Sequence, residues 1–250
     1  MGSLGASQEK EKELAVLVTG FGPFKEAYPV NPSWEIAALL PDYLPADRVK
    51  DAAALHNRQT AGRDSIPPVR ILKLPGAVRT SYEYTRDLVP RLWDGEVDGR
   101  KVDFAVHIAR VLGRETRTSR RICRQGRRWE LLGDEKRRVE LGENWIWYGV
   151  PGELLSDFNV DDVHRRWVQR SPKNLDLRVS EDAGHYLCDF IYFSSLAHLW
   201  KQQCARKVVF LHVPLHSDAE SLRRGVELVL TLIRSIVESE LEKEKEAVSK

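Results

Sequence analysis

Cys188 and His212 have the residue types and settings that nucleophilic catalysis needs. Cys188 lies in Asp182-Ala183-Gly184-His185-Tyr186-Leu187-Cys188-Asp189-Phe190, just after a β-branched run, Leu177-Arg178-Val179. An apolar stretch without Gly or Pro follows it, Ile191-Tyr192-Phe193-Ser194-Ser195-Leu196. The pattern predicts a strand, a tight turn at Ala183-Gly184 and a helix beginning near Tyr186. Cys188 then falls in the first helical turn, where unpaired amides and the positive end of the helix dipole favour a thiolate. His212 closes the run Val208-Val209-Phe210-Leu211-His212-Val213-Pro214, near the carboxyl end of a buried strand. Imidazole is the natural base to take a thiol proton. The plainer alternatives are a core cysteine and a structurally satisfied histidine.

These two residues need a frame that brings a helix start and a strand end to one rim. Leu14-Ala15-Val16-Leu17-Val18-Thr19 reads as a strand buried on both faces, and Phe104-Ala105-Val106-His107-Ile108 as another. Between them lie a helix opened by Asn31-Pro32, the strand Val69–Leu74 and a helix over Ser81–Trp93. Asn31 is a good N-cap and Pro32 suits the first helical position. Val160 to Val168 reads as a further helix, and Ser217-Asp218-Ala219-Glu220 as a capping box before a long amphipathic one. Alternating strands and helices predict a single-domain α/β/α sandwich: a mostly parallel, doubly wound sheet with helices on both faces. Ligand crevices in such sheets lie outside the strands' carboxyl ends, the rim where both residues belong. Gly20-Phe21-Gly22-Pro23-Phe24 follows the first strand at this rim. It lacks the spacing of a phosphate loop, and Phe21 and Phe24 could wall a small apolar pocket or simply plug the core.

With 250 residues and a formal charge of +2, the chain can bury one sizeable core and carries too little charge to predict nucleic-acid binding. Cys123, Cys188 and Cys204 form no CxxC pair and no metal spacing, which suits free thiols in a reducing cytoplasm. No apolar run has the length of a membrane span, and the start of the sequence has no apolar signal core. The expected organisation is a flexible tail over 1–13, a domain over 14–238 and a charged tail over 239–250. Residues 109–140 read as an irregular insert. From Arg110 to Arg128 this stretch holds eight arginines and one acid, Glu115. That run is a solvated loop, an anion-binding segment, or a stretch foreign to the domain.

Three blocks together resemble pyroglutamyl peptidase I, the cysteine peptidases that remove an N-terminal pyroglutamate. They are Val18-Thr19-Gly20-Phe21-Gly22-Pro23-Phe24 with Asn31-Pro32-Ser33-Trp34, then Asp182–Phe190, then Phe210-Leu211-His212-Val213-Pro214. The resemblance implies an omega-peptidase acting on small pyroglutamyl peptides, with no metal or organic cofactor. It implies Cys188 as nucleophile and His212 as base, with Phe21, Phe24 and Asn31 around the substrate. It also implies a Glu, a dozen or so residues after His107-Ile108, that steadies the histidine. Here Arg120 stands at that position, and Glu115 lies five residues early. The alternative is therefore an impaired or inactive relative that keeps the fold and binds peptides or an anionic partner.

Overall fold

The computed structural model describes residues 13–24, 29–47, 66–110, 120–127 and 140–249. Nearly all of the expected flexible start, residues 48–65 and much of the Arg-rich stretch lie outside these residues. The strands are β1 (Leu14–Gly20), β2 (Val69–Lys73), β3 (Phe104–Arg110), β4 (Arg120–Cys123), β5 (Gln125–Arg127), β6 (Glu153–Leu155), β7 (Leu177–Ser180) and β8 (Val208–Val213). The helices are α1 (Pro32–Leu39), α2 (Tyr82–Asp94), α3 (Val160–Arg170), α4 (Leu187–Lys201) and α5 (Ala219–Val248).

Among the described residues, six strands form one sheet in the order β2-β1-β3-β8-β4-β7, and β5 and β6 form a separate antiparallel pair. β2, β1, β3 and β8 run parallel, while β4 runs antiparallel to β8 and parallel to β7. The central strands β3 and β8 are buried at every position, as strands covered on both faces should be. Alternate residues feed two cores. Ala15, Leu17, Ala105, Ala109, Val208 and Phe210 pack with α2 and α4. Val16, Val18, Val106, Ile108, Val209 and Leu211 pack with α1, α3 and α5. The doubly wound sandwich is as expected, except that β4 and β7 reverse direction.

Three differences have clear physical causes. The expected irregular insert contributes β4 and β5, short strands whose pairing comes from β8, β7 and β6 rather than from periodicity of their own. The expected tail over 239–250 is helical as far as Val248, in a Glu- and Lys-rich segment of good helix propensity. A Lys207–Glu240 ion pair of 3.0 Å fastens it to the body. The N-cap of α5 is Asp218, one residue after Ser217; its side chain accepts from the Ser221 amide at 3.0 Å.

One buried polar cluster sets the height of α4 against the sheet. His107 on β3 bonds Thr19 Oγ1 of β1 through Nδ1 at 2.8 Å and Ser195 Oγ of α4 through Nε2 at 2.9 Å. Burial drives its pKa down from the usual 6.5 to about 3, so the ring is neutral. An unfolded chain takes up this proton below pH 6.5 and the native one resists until about 3. The stabilisation from the neutral ring is complete above that window and is lost as pH falls through it, by at most about 1.4 kcal/mol per pH unit. Ser195→Ala leaves Nε2 unsatisfied and should cost about 1–3 kcal/mol in urea unfolding at neutral pH. An unchanged midpoint would show that the cluster does not hold the helix.

Candidate active site

The Cys188 turn is built by local hydrogen bonds. Ser180 Oγ donates to the Asp182 carbonyl at 2.9 Å, and the Asp182 side chain accepts from the Gly184 amide at 2.8 Å. Gly184 has φ +93, which an L side chain rarely adopts, so glycine is required there. Tyr186 is the N-cap of α4 and makes no side-chain cap hydrogen bond. Cys188 lies in that first turn, as the sequence predicts.

The height of Cys188 follows from the His107 cluster. Helix α4 leads through the turn after Lys201 into β8 at Val208, so α4 runs opposite to β8 and starts at the sheet's carboxyl rim. Ser195 is two helical turns beyond Cys188, about 10 Å along the axis. His107 is three strand residues before Arg110, again about 10 Å. Since Ser195 and His107 are bonded, Cys188 stands level with Arg110. Arg110 pairs in register with Val213, and its neighbour Ala109 pairs with His212. His212 alternates with Phe210 on the α4 side of β8, and their rings meet edge-on at 4.9 Å. Both residues thus belong to one rim and one face.

The charge state at Cys188 differs from the sequence expectation. Burial, then the neighbouring Asp189 carboxylate, push the thiol up to about 12, against a backbone hydrogen bond and the Arg110 guanidinium. Desolvation therefore outweighs the helix dipole, and the resting group is a thiol. Cys188 as a whole residue is partly buried. Asp189→Asn removes the nearby negative charge and should speed iodoacetamide alkylation of Cys188 at neutral pH about threefold to tenfold, one screened charge being worth on the order of 1 kcal/mol. An unaltered alkylation rate would dismiss Asp189 as a cause.

His212 is buried, with its Nδ1 3.9 Å from Cys123 Sγ. β4 passes beside it, with Arg121 paired in register to His212. Arg120 is the first residue of that strand. Tyr82 borders the same turn: burial, then the charges that Cys188 and Tyr186 carry when ionised, raise its pKa. Its ring packs on Phe190 at 5.0 Å.

The three expected substrate residues are placed differently from one another. Phe21 is buried, with its amide donating to Ser33 Oγ at 3.0 Å. Phe24 is 45% exposed. Asn31 is buried and engaged: Nδ2 donates to the Gly22 carbonyl at 2.9 Å, and Oδ1 accepts from the Ser33 amide at 3.2 Å and from Ser33 Oγ at 2.9 Å. Its side chain thus clamps the glycine loop onto the start of α1. Gly20 admits this approach, because a Cβ there would lie 2.3 Å from the Ser33 carbonyl oxygen.

Comparison with known proteins finds similar sequences and folds. No family model matches the chain. The human and mouse proteins named pyroglutamyl-peptidase 1 are each 26% identical over 227 residues, spanning 90% of this chain and 91% of the relative. The pyrrolidone-carboxylate peptidase of Thermococcus kodakarensis is 24% identical over 231 residues, spanning 88% of this chain and 96% of its own. Over about nine-tenths of its length the chain is thus similar to proteins named as pyroglutamyl or pyrrolidone-carboxylate peptidases. The fold agrees with the pyrrolidone carboxyl peptidase of Thermococcus litoralis, with a TM-score of 0.61 over 92% of this chain and 96% of the other, at 14% identity. A variant of the Pyrococcus furiosus enzyme gives 0.60 over 90% and 99%, at 18% identity.

The sequence reading missed Cys123 and Arg110 at the rim. Both sit in or beside the Arg-rich run, whose composition hides any strand alternation. Arg110 is nonetheless buried at the end of β3, and Cys123 is buried in β4. The signal available in advance was modest: Arg110 directly continues the apolar run of β3, and Ile122-Cys123 is an apolar pair set between arginines.

Proposed function

We propose that the chain is a cysteine omega-peptidase that hydrolyses the amide bond after an N-terminal pyroglutamate. The observation that carries this reading is the joint placement of the Cys188 turn and the His212 strand end on one rim of a pyroglutamyl-peptidase-like sheet. Because the resting sulfur is a thiol, its proton passes to neutral His212 as the sulfur attacks the pyroglutamyl carbonyl. Backbone amides at the start of α4, at the positive end of its dipole, suit the oxyanion that develops. The imidazolium returns its proton to the leaving amine, giving a pyroglutamyl thioester and a free amino terminus. Water, deprotonated by His212, then attacks the thioester; pyroglutamate leaves and the thiol is restored. A neutral lactam suits an apolar wall such as the Phe21–Phe24 loop.

The test is incubation with a pyroglutamyl-aminocoumarin, with free pyroglutamate and free coumarin both quantified. Equimolar release supports the reading, and no release above buffer rejects it. Arg120 favours a second reading, a relative that binds blocked peptides without turning them over. Arg120→Glu restores the acid that the resemblance implies, and should raise kcat/KM on the coumarin substrate about tenfold or more, a fraction of what an orienting carboxylate is worth in a serine triad. No gain would mean that the strand start is not where the histidine is steadied.

A further inference from the structure

We propose that Tyr82 is a further catalytic residue, its phenol donating a hydrogen bond to the oxyanion that forms when Cys188 attacks the acyl carbonyl. The proposal rests on the peptidase reading and adds to its oxyanion site a donor from a second helix. Tyr82 is the first residue of α2, whose cap Ser81 accepts through Oγ from the Tyr84 amide at 3.3 Å. α2 follows the parallel strand β2, so like α4 it starts at the sheet's carboxyl rim. The far ends of these two helices are tied by His198 Nε2 and Asp94 Oδ1 at 2.7 Å. Tyr82 lies twelve residues before Asp94, and Tyr186 lies twelve before His198. Tyr82 therefore stands level with the Cys188 turn to within about one helical turn, roughly 5.4 Å. Its ring meets that of Phe190, two residues after Cys188, edge-on at 5.0 Å.

A gap separates the phenol from the thiol. Burial, then the charge of an ionised Cys188, raise the Tyr82 pKa, yet no hydrogen bond joins the two side chains. A separation too wide for a bond and short enough for charges to act leaves room for a substrate group. The segment before α2 is tied to the glycine loop: the Val78 carbonyl accepts from the Gly22 amide at 2.9 Å, and the Val78 amide donates to the Gly20 carbonyl at 2.9 Å. Thr80 Oγ1 donates to the Pro23 carbonyl at 3.1 Å. Tyr82 thus stands where the Phe21–Phe24 loop and the Cys188 turn come together, beside the acyl group that the reaction places on the sulfur. Its raised pKa keeps the phenol protonated, so it offers a proton to an acceptor. As the carbon–sulfur bond forms, the carbonyl π electrons move onto oxygen. The phenol and the first amides of α4 hold that charge by hydrogen bonds and transfer no proton. When the electrons return, the carbon–nitrogen bond breaks and the amine takes its proton from the His212 imidazolium. Burial and the Asp189 carboxylate make this corner unfavourable to negative charge, which is the deficit that a donor from α2 offsets.

The experiment uses Tyr82→Phe in the full chain, which keeps the ring on Phe190 and deletes only the hydroxyl. On the pyroglutamyl-aminocoumarin kcat should fall about tenfold to a hundredfold with KM little changed, the lower part of what loss of one oxyanion donor costs when other donors remain. Two further probes separate the roles the phenol could play. The aldehyde analogue of pyroglutamate adds the Cys188 sulfur and forms a hemithioacetal whose oxygen occupies the oxyanion position. Its affinity should weaken by about the same factor as kcat. 2-Pyrrolidinone, the ring without the reacting acyl group, should bind wild type and variant equally. A variant with wild-type kcat and wild-type aldehyde affinity overturns the proposal. So does one that loses affinity for 2-pyrrolidinone while keeping kcat, which would make the phenol a contact of the lactam ring. A wild type that neither releases coumarin nor forms an aldehyde adduct on Cys188 by mass spectrometry removes the peptidase reading and this role together. Turnover by wild type beside an unimpaired Tyr82→Phe removes the role of Tyr82 alone.

Discussion

Cys188→Ala should lower kcat on a pyroglutamyl-aminocoumarin by about 10⁴-fold or more, since loss of a covalent nucleophile leaves only binding and oxyanion contacts. The fold should survive, because the half-buried Cys188 packs at the edge of the α2–α4 core and a first helical turn tolerates alanine well. Unaltered circular dichroism and an unfolding midpoint close to wild type would show that the lost rate is chemical. Mass spectrometry adds an independent reading. A pyroglutamyl adduct should appear on wild type quenched during turnover and be absent from the variant. A Cys188→Ala protein that keeps its rate would end the thiol mechanism outright.

Much of the frame around this thiol was legible in the sequence, for identifiable reasons. β1, β3 and β8 are continuous apolar runs because both faces are covered, and such runs are unambiguous beside Gly and Pro. The α4 helix announces itself through the Asp182-Ala183-Gly184 turn and through apolar residues on nearly every side. β4 could not be read this way. It is a strand only because β8 and β7 offer it two edges, and three of its four residues are Arg or Cys. The thiol's protonation was misread because a helix N-terminus is visible in sequence, whereas the burial that opposes it, and the sign of the Asp189 contribution, emerge only after packing. Asn31 shows the same limit: a cap is predictable from Asn31-Pro32, but its hold on the Gly22 carbonyl depends on where a distant loop returns.

His212→Ala should cost nearly as much as removing the nucleophile, about 10⁴-fold in kcat, and the double variant with Cys188→Ala should be no worse than either alone. The reason is the resting charge state. With burial and Asp189 holding the thiol well above its usual range, little activity can come from spontaneous thiolate at neutral pH. The base must remove the proton as the carbon–sulfur bond forms. The pH dependence follows with a definite sign. kcat/KM should stay level through mildly alkaline pH, because ionisation of the thiol lies far above that range. In His212→Ala the residual rate should instead climb about tenfold per pH unit across the same range, following the growing thiolate population. If the variant keeps the wild-type profile, the base is another group and the pairing of Cys188 with His212 fails. An ion pair formed before substrate binds would give a third pattern, fast alkylation of Cys188 well below neutral pH. The burial and the Asp189 charge around the sulfur argue against that pattern.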